Sequence, residues 1–237
     1  MMNILITNDD GISSPALAAL SDWAAQFGEV TVIAPKEEQS GKSHSIDFHA
    51  PIEIKQVTLA TGRMAYSVAS TPADCVRFGV LGLKQRYDLV LSGINHGYNL
   101  GCDIVYSGTV GAIFEAARQG IKGIALSTDF GDYRGALASL DEVKRYFDER
   151  GLLDINGLYN VNIPPVSNGI RITRQGGIFY TDEFVYKGND MYMQEGSAVQ
   201  YDTLHEELDI AAIGDGCISV TPLAFERTNL AVFEKLK

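Results

Sequence analysis

Cysteine is scarce in this chain. The three present, Cys75, Cys102 and Cys217, are odd in number and show no C-x-x-C spacing. That excludes a disulfide framework and a thiolate zinc site, and leaves scattered thiols in a reducing compartment. The four histidines, His44, His49, His96 and His205, have no H-E-x-x-H spacing, so imidazole zinc is not signalled either. Basic residues are in deficit: 19 Lys and Arg face 30 Asp and Glu, a formal net charge of −11. Such a chain is a poor general binder of nucleic acid polymers. It suits a small phosphorylated ligand where a metal ion supplies local positive charge. No run approaches the roughly 18 apolar residues of a membrane span. Met1-Met2-Asn3 has no basic region and no long apolar run behind it, unlike a signal peptide. No membrane association is expected, and the cytoplasm is the expected location. Internal repeats and low-complexity tracts are absent as well.

What remains is an ordinary globular composition, 237 residues with 46% hydrophobic and 21% charged. It fits one large α/β domain, or one domain with an extension, whose core needs no disulfide. Four short apolar runs, Ile4-Leu5-Ile6, Val30-Thr31-Val32-Ile33, Leu89-Val90-Leu91 and Ile124-Ala125-Leu126, read as strands buried on both faces of a parallel sheet. Helical patterns separate them. Ser14-Pro15 opens an amphipathic helix over residues 16–27, with Gly28 placed as a C′ glycine. Thr71-Pro72-Ala73-Asp74 opens a second helix, with Asp74 favouring its positive end. Residues 111–119 and 137–150 read as a third and a fourth. Strands alternating with helices predict a doubly wound sheet, which binds ligands outside the carboxyl ends of its strands. From about residue 170 the texture changes to hairpins and extended segments, an extension with exposed strand edges suited to oligomerisation.

The strand ends carry the chemistry. The first ends in Asn8-Asp9-Asp10-Gly11, where a glycine-eased turn lets two carboxylates converge on one cation that relieves their repulsion. The alternative at this point is a plain polar turn. The second strand runs into a hydroxyl-rich loop containing Ser40-Gly41-Lys42-Ser43-His44-Ser45, which lacks the upstream glycine of a P-loop. The third ends in Ser92-Gly93-Ile94-Asn95-His96-Gly97-Tyr98-Asn99, where glycines let backbone amides approach a ligand and asparagines offer a neutral oxygen or an amide donor. Ser107-Gly108-Thr109 opens the third helix, whose free amides suit an anion. Asp9, Asp10, Ser40 and Asn95 all fall just past predicted strands and all offer oxygen, a set for Mg²⁺, Mn²⁺ or Ca²⁺ rather than zinc. A dinucleotide-dependent oxidoreductase needs G-x-G-x-x-G after the first strand, where this chain has carboxylates that repel a pyrophosphate.

Taken together, these segments resemble the SurE family, the survival-protein nucleotidases. The resemblance is carried by Asn8-Asp9-Asp10-Gly11, Ser40, His44-Ser45, Ser70-Thr71-Pro72-Ala73-Asp74, Ser92 to Asn99, Ser107 to Ala112, Asn160-Val161-Asn162-Ile163-Pro164, Thr173-Arg174-Gln175 and Ile218-Ser219-Val220-Thr221-Pro222, in order across nearly the whole chain. It implies a Rossmann-like three-layer α/β/α core with a mostly parallel sheet over residues 1–169. A C-terminal β-rich extension over 170–237 would be exchanged between subunits of a homodimer or homotetramer. It also implies a divalent-metal-dependent phosphomonoesterase acting on nucleoside 5′- and 3′-monophosphates, with short-chain polyphosphate as a further substrate. One metal ion per subunit, Mg²⁺ or Mn²⁺, with Ca²⁺ possible in crystals, would be held by Asp9, Asp10, Ser40 and Asn95. Asp9, Asp10 and Asn95 are the catalytic candidates, either aspartate being able to take the proton of the attacking water. Asn8, Asn99, Ser107, Gly108 and Thr109 are the phosphate-binding candidates. A nucleotide-sensing protein with little turnover is the alternative. The chain departs from the family pattern at Gly216-Cys217, where an aromatic residue is usual, and over residues 176–201.

Overall fold

The computed structural model describes residues 1–199 and 205–237; residues 200 and 201, the end of the segment that departs from the family pattern, lie outside them. Strand β1 (Met2–Thr7) alternates its side chains between two buried faces. Ile4 and Ile6 enter one core with Leu17 and Leu20 of helix α1 (Pro15–Ala24) and Leu140, Val143 and Phe147 of helix α4 (Tyr133–Arg150). Leu5 enters another with Cys75 and Val76 of helix α2 (Pro72–Arg77) and Ala112 and Ala116 of helix α3 (Gly108–Arg118). The result is the three-layer α/β/α arrangement, with helices on both faces of the sheet.

Around β1 lie β2 (Gly28–Pro35), β3 (Ile54–Thr58), β4 (Met64–Val68), β5 (Leu89–His96), β6 (Lys122–Thr128) and β7 (Leu158–Asn162). Beyond helix α5 (Leu152–Ile155) and β7, the chain adds β8 (Ile170–Ile172), the hairpin β9 (Tyr180–Gly188) and β10 (Met191–Ala198), helix α6 (Asp209–Gly214), β11 (Ile218–Pro222) and helix α7 (Leu230–Leu236). Among the described residues the main sheet has nine strands, in the order β3-β4-β2-β1-β5-β6-β7-β11-β8. It is mostly parallel; β3 on β4 and β11 on β7 are antiparallel. Strands β2 and β5 flank β1 on opposite sides, so the strand order reverses there. The crevice beyond β1 and β5 is the place where such sheets bind ligands.

Two local expectations change. Helix α1 stops at Ala24, capped by Ala25, and Gly28 begins β2 rather than ending the helix. A Cβ on Gly28 would lie 2.1 Å from the Met2 carbonyl oxygen, so close strand approach, not a C′ turn, requires glycine there. Strand β5 continues through His96, past a register shift after Ser92, which puts Asn95 in the strand beside Ser127 rather than in a following loop.

Candidate active site

Asn8 closes the turn after β1. Its side chain donates to the Gly11 carbonyl at 3.1 Å and accepts from the Gly11 amide at 3.2 Å. Gly11 takes φ +96°, and a Cβ there would press on the Glu37 backbone at 3.2 Å, so the turn tolerates no side chain. This locked turn fixes Asp9 and Asp10. The Gln39 amide donates to the Asp9 carbonyl at 2.7 Å, bringing the loop that carries Ser40 against the same turn.

Asp9 is 4% exposed. Its carboxylate accepts from the Thr109 hydroxyl and, at 3.1 Å, from the Thr109 amide, both at the start of α3. Gly108 permits this contact, since a Cβ there would sit 3.0 Å from the Asp9 Cβ. Ser107 caps the helix by accepting from the Val110 amide at 3.1 Å, which leaves its hydroxyl hydrogen free to donate. Asp10 is half-buried and accepts from the His96 backbone amide. Burial, and then the Asp9 charge, push its carboxyl up to about 6. Burial also raises Asp9, against the lowering effect of Thr109.

Asn95 donates its amide to the Gly97 carbonyl at 2.7 Å, which leaves its side-chain oxygen as the acceptor available to a cation. The Ser40 hydroxyl donates to Glu38 at 2.7 Å and keeps its lone pairs. Asn99 is gripped from three sides. Its amide donates to Asn162, its carbonyl accepts from Asn160 and Asn162, and its side chain donates to Ser127 at 2.8 Å. Asp9, Ser40, Asn95, Asn99 and Ser107 line one cleft of about 380 Å³ at the carboxyl edge of the sheet. Asn8 and Thr109 stand behind that wall, one committed to the turn and the other to Asp9.

The donor set suits a hard divalent cation. Two adjacent carboxylates have their ionisation opposed by burial, and a hydroxyl and an amide oxygen lie nearby, all of them oxygen ligands. Among the described residues, no group of three or more His, Cys, Asp or Glu is placed to hold a metal ion, so a cation here would need Ser40 and Asn95 beside the two carboxylates.

A family profile described as "Survival protein SurE" matches residues 4–182. The chain belongs to the SurE family. It is 38% identical to the 5′-nucleotidase SurE of Clostridium beijerinckii, over 98% of this chain and 96% of that protein. It is 39% identical to the 5′-nucleotidase SurE of Chloroflexus aggregans, over 100% and 98%. The crystal structure of the SurE protein from Aquifex aeolicus superposes with a TM-score of 0.80 at 34% identity, covering 99% of this chain and 98% of that one.

For several residues in or behind the cleft of this SurE chain, sequence reasoning assigned no role. Asn160 and Asn162, both fully buried on β7, hold the Asn99 loop; their signal was an Asn-x-Asn pair inside an apolar strand. Glu38 lies within electrostatic reach of both aspartates. Tyr98, Phe130, Tyr180 and Asp182 complete the wall. The last two come from β9, some 85 residues beyond Asn95, and no local pattern marks them.

Proposed function

We propose that the chain is a divalent-metal-dependent 5′-nucleotidase, hydrolysing nucleoside 5′-monophosphates, and 3′-monophosphates with them, to nucleoside and phosphate. The observation that carries this reading is Asp9, which lines the cleft at the sheet's switch point with its carboxylate held against the start of α3; Asp10 follows it in the turn and does not itself line the cleft. The names of the full-length relatives support the reaction class. Asp9, Asp10, Ser40 and Asn95 would hold the metal, Mg²⁺ or Mn²⁺, which when bound supplies the charge that polarises a phosphoryl oxygen. Thr109 holds Asp9 in place. The Ser107 hydroxyl and the orphan amide of Gly108 donate to the phosphoryl oxygens as charge develops on them. Asn99, fixed by Asn160 and Asn162, lines the same cleft. Water attacks phosphorus, the ester P–O bond breaks, and the leaving oxygen departs as the nucleoside hydroxyl.

Residues 1–169 form the catalytic core in this reading, and 170–237 an extension through which subunits associate as a dimer or tetramer. Aromatic side chains standing exposed on β9 and β10, and a helix α7 with no buried residue, support association. The cytoplasm is the proposed location. No described helix is long and apolar enough to cross a membrane, and the thiol of Cys102 is exposed and free.

The test is phosphate release from a panel of 5′- and 3′-monophosphates with Mg²⁺ or Mn²⁺, with chelator, and with Asp10→Asn in parallel. Metal-dependent release that the variant loses is expected. A folded, metal-supplied protein that releases nothing from any substrate would leave only a nucleotide-binding role.

A further inference from the structure

Of Asp9, Asp10, Ser40 and Asn95, Ser40 is the exposed one, and its hydroxyl bonds only to Glu38 in its own loop. Its place is therefore set by what holds the loop on either side. Upstream, the Gln39 amide donates to the Asp9 carbonyl at 2.7 Å. Gly41, at φ +71°, then stands in open space, and Lys42 is exposed. The loop meets the body of the protein again at Ser43. The Ser43 amide donates to the Tyr106 carbonyl at 2.9 Å, and its hydroxyl to the Val105 carbonyl at 2.6 Å. Gly111 of α3 lies directly beneath, where a Cβ would sit 2.2 Å from the Ser43 carbonyl oxygen. His44 follows, and its Nε2 lies 3.0 Å from the Glu115 carboxylate of α3, so that nitrogen carries the proton and donates. Glu115 is a fixed post: it is 2% exposed and accepts from Arg77 at 3.2 Å and Gln119 at 2.8 Å.

We infer that His44 is a positioning residue for the metal: by pairing with Glu115 it fixes where Ser40 stands relative to Asp9. This rests on the proposed metal reading of the same cleft and adds a residue that acts from behind it. The physical basis is that one rigid element holds both ligand-bearing segments. Thr109, at the start of α3, takes the Asp9 carboxylate. Glu115, six residues and about 9 Å further along the helix axis, takes the Ser40 loop through His44. The separation of Asp9 and Ser40 is thus referred to α3 rather than to a free loop. A small hard cation tolerates little error in where its oxygens stand. The Ser43 contacts are made to neutral backbone carbonyls, whereas His44 donates to a buried carboxylate, where such bonds are strongest. Without His44, the loop keeps only the Ser43 anchor beyond Gly41, and Ser40 spreads over more positions. Glu115 keeps Arg77 and Gln119, so the core around it stays paired.

The test is a double-substitution cycle on Mn²⁺ affinity in the full-length chain, read from the electron paramagnetic resonance signal of the free ion, with thermal unfolding measured beside it. His44→Ala is expected to raise the Kd for Mn²⁺ by about tenfold, the scale of groups that orient a metal ligand from behind. His44→Gln, whose amide nitrogen reaches where Nε2 stood, should restore most of the affinity and guards against a folding defect in the alanine variant. Ser40→Ala should weaken binding as well, and adding His44→Ala to it should weaken it no further, because the residue that His44 positions is then gone. A His44→Ala protein with lowered Tm and an unmoved Kd would make the pair a purely structural contact and overturn the inference, leaving the metal reading intact. Additive losses in the double variant would overturn it too, since His44 would then act through a group other than Ser40. A folded wild type that binds no Mn²⁺ would sink the metal reading, and the positioning role with it.

Discussion

Two carboxylates on consecutive residues, both drawn out of water, oppose their own ionisation. The Asp10 carboxyl is pushed from 3.8 to about 6, by burial first and the Asp9 charge second. A carboxyl raised on folding favours the folded state in its protonated form. Its contribution is complete below about pH 3.8 and is lost as pH rises through about 6. In protein stripped of divalent ions by chelator, Asp10→Asn is therefore expected to raise Tm at pH 8 and to change it little near pH 4; in metal-supplied protein it should abolish hydrolysis. Thermal unfolding of both proteins at the two pH values checks this, and an equal shift at both would refute it. Thr109 offers a second test at the same scale. It gives hydroxyl and amide to a buried carboxylate, so Thr109→Val removes one donor and leaves the other. The expected loss is about 1–3 kcal/mol of stability, together with a fall in kcat as Asp9 loosens. Thr109→Ser, which keeps the hydroxyl, should recover most of both in urea unfolding and steady-state assays.

At the scale of the element, α3 is the support on which the site rests, and its far side carries a second set of charges. Glu115, 2% exposed, pairs with His44 of the Ser40 loop at 3.0 Å and with Arg77 of α2 at 3.2 Å, and accepts from Gln119 at 2.8 Å. Burial opposes its ionisation, yet the His44 and Gln119 hydrogen bonds and the Arg77 charge outweigh it and hold the carboxyl below 4.5. A carboxyl lowered on folding stabilises above its unfolded value and loses that contribution as pH falls through the folded one. Glu115→Gln is expected to cost on the order of 3 kcal/mol. That cost should shrink as pH falls below 4.5; urea titrations across pH would show whether it does. None of this network was legible from single residues, because His44, Arg77 and Glu115 belong to three segments that only the tertiary fold joins. What was legible followed local rules. The apolar runs gave β1, β2, β5 and β6, because strands buried on both faces need little but Val, Ile and Leu. The caps gave the starts of α1 and α2, and Ser107 the start of α3. Strands β3, β4 and β7 lack a continuous apolar run and were not read as strands; Asn160 and Asn162 were read only as part of the family resemblance, without their role in holding Asn99. Asp9, Ser40 and Asn95, which the strand-end rule singles out directly from sequence, line the cleft, as do Ser107, taken from the helix-start rule, and Asn99, taken from the family resemblance. Tyr180 and Asp182 were not found, since their hairpin reaches the cleft from outside the sheet.

For the whole molecule, the question is what covers the β9–β10 hairpin. Its turn residues Asn189 and Asp190 both take positive φ, as a tight two-residue hairpin requires. Register then sets Tyr186 opposite Tyr192, ring centroids 5.1 Å apart, with Phe184 on the same face. Phe184 is 73% exposed, and the hairpin pairs with no other strand of the described chain. A two-stranded ribbon with an open aromatic face is marginal alone, and an aromatic face of this kind marks an interaction surface more often than a solvated one. The proposed subunit association predicts that wild type runs as a dimer or larger species in light scattering. The double substitution Phe184→Glu and Tyr192→Glu should shift it toward monomer, because two carboxylates per subunit would have to be buried at the interface. Because the same hairpin carries Tyr180 and Asp182 into the cleft, dissociation should also raise KM for the nucleotide more than it lowers kcat: the binding wall loosens while Asp9, Asp10 and α3, held by the sheet core, stay in place. A monomeric variant with unchanged KM would separate the hairpin's two roles. A wild-type monomer would remove association from the account and leave the hairpin as part of the cleft alone.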